Sequence, residues 1–289
     1  MESKVRGRRF KTQADIDRYI EQGYGQGEGQ TYKPWLRVQD VPSRGRSRKV
    51  AGSKVDRTHH LLSDVEFAYF LTLEFSERVI DIREQYPILP VEEAQDIAAS
   101  LGIKYPTYPG TKVPCVLTTD FLVTYLGGDD LPRLAARTVK TEEDLLPSPE
   151  LEWTLQKLEI ERWFWVDKIG DWQVVTDGCV GSAISHNLQW LRKGVHLERR
   201  LQDHDLHRHF LDIFSQVNDT GRTLSSMIRT AAKTIHLSYD DGVVLFKYLV
   251  WNKLIRFDLQ EIPLKLTMEA PVFELFSESL FPVFTPEVA

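Results

Sequence analysis

Apolar residues along the chain switch between helical and extended spacing, and the switches mark its elements. In KTQADIDRYIEQG, Ile16, Tyr19 and Ile20 fall on one side of a helix and Gly23 follows as a stop signal. The stretch GYGQGEGQ behind it has no period and reads as a mobile loop. Its glycines, at 23, 25, 27 and 29, alternate and follow no strand, which separates them from a dinucleotide-binding GxGxxG turn. SDVEFAYFLTLEF, 63–75, is apolar on nearly every side and predicts a buried helix. VIDIREQYPIL then reads as a strand, EEAQDIAASLG as a short helix, and VLTTDFLVTYLGGDDLPRLAARTVK, 116–140, as a β-hairpin. SPELEWTLQKLEIERWFWVDKIG predicts a long amphipathic helix and DWQVVTDG a further strand. This order describes an α/β core that ends near Gly181.

From about His204 the pattern changes to three helical stretches, HRHFLDIFSQV, TLSSMIRTAAKTI with Thr223 as its cap, and SYDDGVVLFKYLVWNKL. Two short strands, IRFDL and PLKLTM, follow, and three helices with a β-hairpin are the parts of a winged helix. The expected organisation is a basic N-terminal region over 1–60, an α/β core over 61–181 and a winged-helix-like α+β domain with a C-terminal tail over 182–289.

Composition supports two domains: 289 residues that are 42% hydrophobic and 11% aromatic fill one large core or two modest ones. No stretch approaches the roughly 20 uncharged apolar residues of a membrane helix, and MESKVRGRRFKTQ has basic residues with no apolar region behind them. The expectation is a soluble, cytoplasmic protein with no membrane partner. Cys115 and Cys179 lack the spacing of a disulfide framework or a zinc site.

A net charge of -6 argues against a surface coated in cations, but the charges are unevenly spread. Residues 1–60 hold 14 Lys/Arg against 7 Asp/Glu, and the remainder holds 22 against 35. The densest run, PSRGRSRKVAGSK, carries Arg44, Arg46, Arg48, Lys49 and Lys54 in a Ser/Gly-rich loop suited to a phosphate backbone. A merely solvated basic loop gives the same pattern, and the charge run alone leaves both readings open.

Two charges stand out in the hairpin: Asp120 interrupts an apolar strand and Lys140 closes its partner. By strand parity Thr118 and Asp120 share one face, and Ala136, Thr138 and Lys140 share one face of the other strand. If the hairpin joins those faces, Asp120 and Lys140 converge, and Glu66 approaches from the buried helix. Two carboxylates beside an ammonium suit Mg²⁺, a hard cation that favours oxygen ligands, and phosphodiester hydrolysis. Plainer readings stand beside this one. Asp120 and Lys140 also make a cross-strand ion pair, and Ser63 with Glu66 also makes a helix capping box.

The blocks GYGQGEGQTYKPWLRVQDVPSRGRS, RTHHLLSDVEFAYFLTLEF, VIDIREQYPILP, TDFLV and QKLEIERWFW, in this order over about 20–180, closely resemble the TnsA endonuclease subunit of heteromeric cut-and-paste transposases. The resemblance implies a restriction-endonuclease-like (PD-(D/E)xK) mixed sheet flanked by helices and a C-terminal winged-helix-like domain. It matches Glu66 to the family's helical glutamate, Asp120 to its metal-binding aspartate, Lys140 to its catalytic lysine and Glu74 to a second acid of the same helix. Thr138 departs from the pattern, since TnsA-like sequences often carry glutamine there and related nucleases Asp or Glu. A threonine hydroxyl, a water or the Val139 carbonyl would then complete the metal's ligands. The implied reaction is Mg²⁺-dependent hydrolysis, with Mn²⁺ able to substitute, at the 5′ ends of a transposon in double-stranded DNA. A TnsB-like transposase would cut the 3′ ends, and a TnsC-like AAA+ ATPase would regulate the pair through the C-terminal domain. The alternative is a non-catalytic adaptor of the same assembly, with Thr138 marking a disabled site.

Three further signals carry plainer readings. LQDHDLHRHF places His204, His207 and His209 beside Asp203 and Asp205, which reads as a polar helix start because no second half of a ligand set accompanies it. His59 and His60 precede the Glu66 helix and read as satisfied structural histidines. The aromatic tail VFELFSESLFPVF, 272–284, fits either a packed strand or a partner-binding segment.

Overall fold

The computed structural model describes residues 10–41, 46–219 and 221–276 and divides into two compact units, Met1–Val180 and Gly181–Ala289. Arg44 and most of the aromatic tail lie outside the described residues. Helix α1, Gln13–Glu21, opens with a full capping box: Asp15 N–H donates to the Thr12 hydroxyl, and the Asp15 carboxylate accepts the Thr12 N–H at 3.0 Å. It buries Ile16 and Tyr19 in a cluster with Phe10, Trp35, Val91 and Val116.

The glycine-rich stretch, expected to be a mobile loop, holds defined turns. Gly25 N–H donates to the Lys33 carbonyl at 2.6 Å, and Tyr24 stacks on Tyr19 with ring centroids 3.8 Å apart. Gly25 has φ 76°, and a Cβ there would lie 2.3 Å from Pro87 Cγ, so backbone geometry and close approach both demand glycine. The basic run is only partly a loop. β1, Arg48–Ala51, pairs antiparallel with β2, Thr58–Leu61, because Val50 and Leu61 bury their side chains in the main core while their neighbours face outward.

α2, Asp64–Phe75, has Ser63 as its cap and lies on one face of a four-stranded sheet. The sheet contains β3, Val79–Pro87, then β4, Thr118–Leu126, β5, Pro132–Lys140, and β6, Trp172–Thr176, in that order. The first two pairings are antiparallel and the last is parallel, a mixed sheet whose parallel step needs a crossover. That crossover is α4, Leu151–Ile169, which ends at Gly170 in the left-handed conformation. With α3, Val91–Ser100, it covers the other sheet face. Phe70, Phe121, Val123 and Val139 fill the α2 side, and Leu122, Ala136, Ile160, Phe164 and Trp165 fill the α4 side.

The first unit closes with α5, Asp177–Val180. The second contains α6, Ser182–Leu191, α7, His204–Val217, α8, Leu224–Thr234, and α9, Tyr239–Trp251. The last three are capped by Asp203, Thr223 and Ser238, and they bury Phe210, Phe214 and Phe246 with Phe273. The expected pairing of IRFDL with PLKLTM does not form. β7, Ile255–Arg256, pairs instead with β8, Glu274–Leu275. The PLKLTM segment is occupied elsewhere. Leu264 N–H donates to the Asn187 side chain at 2.7 Å, and the Leu266 carbonyl accepts the Ser225 N–H at 2.7 Å.

Among the described residues no helix is long and apolar enough to cross a membrane.

Candidate active site

The site forms where the sheet stops being regular. The ladder between β4 and β5 runs from Leu126↔Pro132 to Phe121↔Arg137. Beyond it the side chain of Asp120 meets β5: Oδ2 accepts the Val139 N–H at 2.7 Å and lies 3.7 Å from Lys140 Nζ. Lys140 Nζ donates to the Val139 carbonyl at 2.9 Å. Asp120 and Lys140 therefore meet through this opening at the strand end rather than across a continuous face.

Glu66 sits in the first turn of α2, 6% exposed. Ser63 caps the helix by accepting the Glu66 N–H at 3.0 Å, but the reciprocal arm of the expected capping box is displaced. Glu66 Oε2 accepts the Leu62 N–H at 2.9 Å. It also accepts from Gln85 Nε2 at 3.3 Å, and the same nitrogen lies 3.3 Å from Asp120 Oδ1. One buried amide thus bridges the two carboxylates.

A cleft of about 450 Å³ opens over this group, and its polar lining includes Glu66, Asp120, Thr138, Lys140, Lys157 and Glu161. Burial first, and then the Asp120 charge, push the Glu66 carboxyl up to about 8. Burial works against the charge on Lys140, but Asp120, Glu161 and Glu66 outweigh it and hold its pKa above the usual lysine value. Lys140 is consequently an ammonium across the physiological range, suited to stabilising an anion and unsuited to accepting a proton.

Glu161 escapes the sequence reading. It lies on α4, 5% exposed, and accepts a hydrogen bond from the Thr138 hydroxyl, while burial and the Asp120 charge raise its pKa to about 7. The signal was available: in LQKLEIERWFW this acid falls on the buried helix face between Leu158 and Phe164/Trp165. Thr138 itself is 3% exposed, and its hydroxyl is directed to Glu161.

Other sequence-selected residues lie elsewhere. Glu74 accepts from the Ser53 N–H and from Ser53 Oγ at 2.8 Å, two turns along α2 from Glu66, and does not line the cleft. Among the basic residues, Arg46 and Lys49 are exposed. Arg48 pairs with Asp64 and stacks 4.2 Å over Phe67, and Lys54 is half-buried near Glu74 and Glu77, with burial lowering its pKa. His59 bonds Glu84 at 2.9 Å, and His60 Nδ1 accepts the Val38 N–H. His207 is buried and lies 2.7 Å from the Leu201 carbonyl.

The donor set fits a hard divalent cation in part. Among the described residues no cluster of three or more His, Cys, Asp and Glu side chains converges for a metal. Of the acids lining the cleft, Glu66 and Asp120 share the Gln85 amide, and Mg²⁺ commonly keeps several waters, so these two and a backbone carbonyl suffice where a substrate phosphate adds oxygens.

A mixed sheet flanked by helices, with carboxylates and a lysine gathered where its central hairpin opens, defines the restriction-endonuclease-like class. Residues 76–177 match the family described as TnsA-like endonuclease N terminal, and 180–259 match TnsA endonuclease C terminal. The transposon Tn7 transposition protein TnsA of Escherichia coli is 42% identical over 181 residues, covering 62% of this chain and 63% of that protein. The chain belongs to the TnsA endonuclease family.

Proposed function

We propose that this chain is the metal-dependent DNA endonuclease subunit of a transposase, hydrolysing the phosphodiester at the 5′ ends of a transposon. The observation that carries the reading is the convergence of Glu66, Asp120 and Lys140 in one cleft of a TnsA-family chain. Glu66 and Asp120, with the Val139 carbonyl, would hold Mg²⁺ or Mn²⁺. A divalent ion there supplies charge to the phosphate and lowers the pKa of a bound water. Lys140, 3.7 Å from Asp120, stabilises the phosphate's developing negative charge. Lys157, half-buried in the same cleft with its pKa lowered by burial and by Lys140, adds a second cation for the anionic substrate. The exposed Arg46 and Lys49 would contact the DNA backbone.

On this reading the subunit acts beside a TnsB-like transposase and a TnsC-like ATPase, and the second unit, Gly181–Ala289, is the partner-binding module. Replacing Asp120 with alanine in a reaction reconstituted with those partners should lower 5′-end cutting by at least about a thousandfold while 3′-end cutting persists. Retained 5′ cutting in that variant would overturn the assignment.

A further inference from the structure

Gln85 is 2% exposed and has φ 50°, a conformation uncommon for any residue but glycine. Among the described residues four others than glycine share positive φ, this one included, and Gln85 is the one inside a β-strand; Asp130 is in the hairpin turn, and His236 and Lys253 follow helices. The left-handed residue breaks the alternation of β3. Glu84 turns to Arg57 and to His59, whose ring packs on Phe70 of the α2 side, while Tyr86 turns to Trp165 on the α4 side. Residues two apart in a regular strand would share a face.

That break aims the Gln85 side chain along the end of β4, where its nitrogen sits 3.3 Å from Glu66 Oε2 and 3.3 Å from Asp120 Oδ1. The Thr118 hydroxyl donates to Gln85 Oε1 at 3.5 Å, and the amide nitrogen faces the two acids, which is the end that can donate to them. The surroundings hold the unfavourable backbone in place. The Gln85 carbonyl accepts the Trp35 N–H at 3.2 Å, Tyr32 Oη donates to the Glu84 carbonyl at 3.0 Å, and Gly25 packs on Pro87.

We propose that Gln85 is the positioning residue of the site: its amide, presented by a left-handed break in β3, sets the spacing of Glu66 and Asp120 for a shared divalent cation. This rests on the metal site proposed above. Two carboxylates facing one another in a buried place repel, and a donor shared between them fixes their separation without adding charge. A residue needed only for packing has no reason to occupy a strained position and to give its donors to two acids.

Mn²⁺ titration calorimetry on the full chain, with thermal melting in parallel, separates the possibilities. Glycine accepts the Gln85 backbone without strain, which offsets part of what the lost buried side chain costs, so Gln85→Gly should remain folded and melt no lower than Gln85→Ala. It should nevertheless bind Mn²⁺ about tenfold or more weakly, the loss typical when a group orienting metal ligands is removed. Gln85→Ala should lose affinity similarly, and Asp120→Ala should lose binding. Wild-type Mn²⁺ affinity in Gln85→Gly, with binding lost in Asp120→Ala, overturns the role of Gln85 alone. Wild-type affinity in Asp120→Ala overturns the metal site and this inference with it.

Discussion

At the scale of single residues the cleft is an arrangement of protons as much as of metal ligands. Glu66 and Glu161 titrate near 8 and 7, so they hold protons in the folded state at pH values where an ordinary carboxyl, near 4.5, has lost them. The folded state then binds more protons than the unfolded one, and stability falls as pH rises from about 5 to about 8, by at most about 1.4 kcal/mol per pH unit for each proton. Urea unfolding at pH 5.5 and pH 8.5 should show that fall in metal-free protein. Glu161→Gln should reduce it, because only Glu66 still titrates in the window. Asp120 and Lys140 were legible from the sequence as charges in a strand, and Thr138 as a departure from family pattern. The partner of Thr138 was not legible, because it depends on which turn of α4 lies over β5.

At the scale of elements, the buried helix α2, the hairpin of β4 and β5, and the crossover α4 follow from periodicity and turn chemistry. Parity left open whether the faces carrying Asp120 and Lys140 join. They meet, with Nζ 3.7 Å from Oδ2, but beyond the last ladder pair, Phe121↔Arg137, where the Asp120 side chain bonds the Val139 N–H. The β1–β2 hairpin was hidden by its basic residues, and α6 by a short sequence with few caps or charges. GYGQGEGQ misled for a different reason: glycine composition reports conformational freedom in the unfolded chain and says little about a loop packed on Pro87. Gly25→Ala should lower stability by about 2 kcal/mol, from strain at positive φ and from overlap with Pro87, measured by denaturant titration.

At the scale of the whole molecule, every residue lining the cleft and all three apolar clusters that frame it belong to Met1–Val180. Residues 1–180 produced alone should therefore fold, by circular dichroism, and bind Mn²⁺ with the affinity of the full chain. The excess of positive charge in residues 1–60 lies in this same unit.

The cap of α2 has one more implication. Ser63 starts the helix by accepting the Glu66 N–H, and the Glu66 carboxylate reaches back to the Leu62 N–H. The helix start therefore does not hang on the charge, and Glu66→Gln keeps an oxygen for Leu62 while withdrawing the carboxylate from a cation. A descendant of this chain with glutamine at position 66 would keep the helix and its cap. Activity lost by that route would show only in the few atoms that line the cleft.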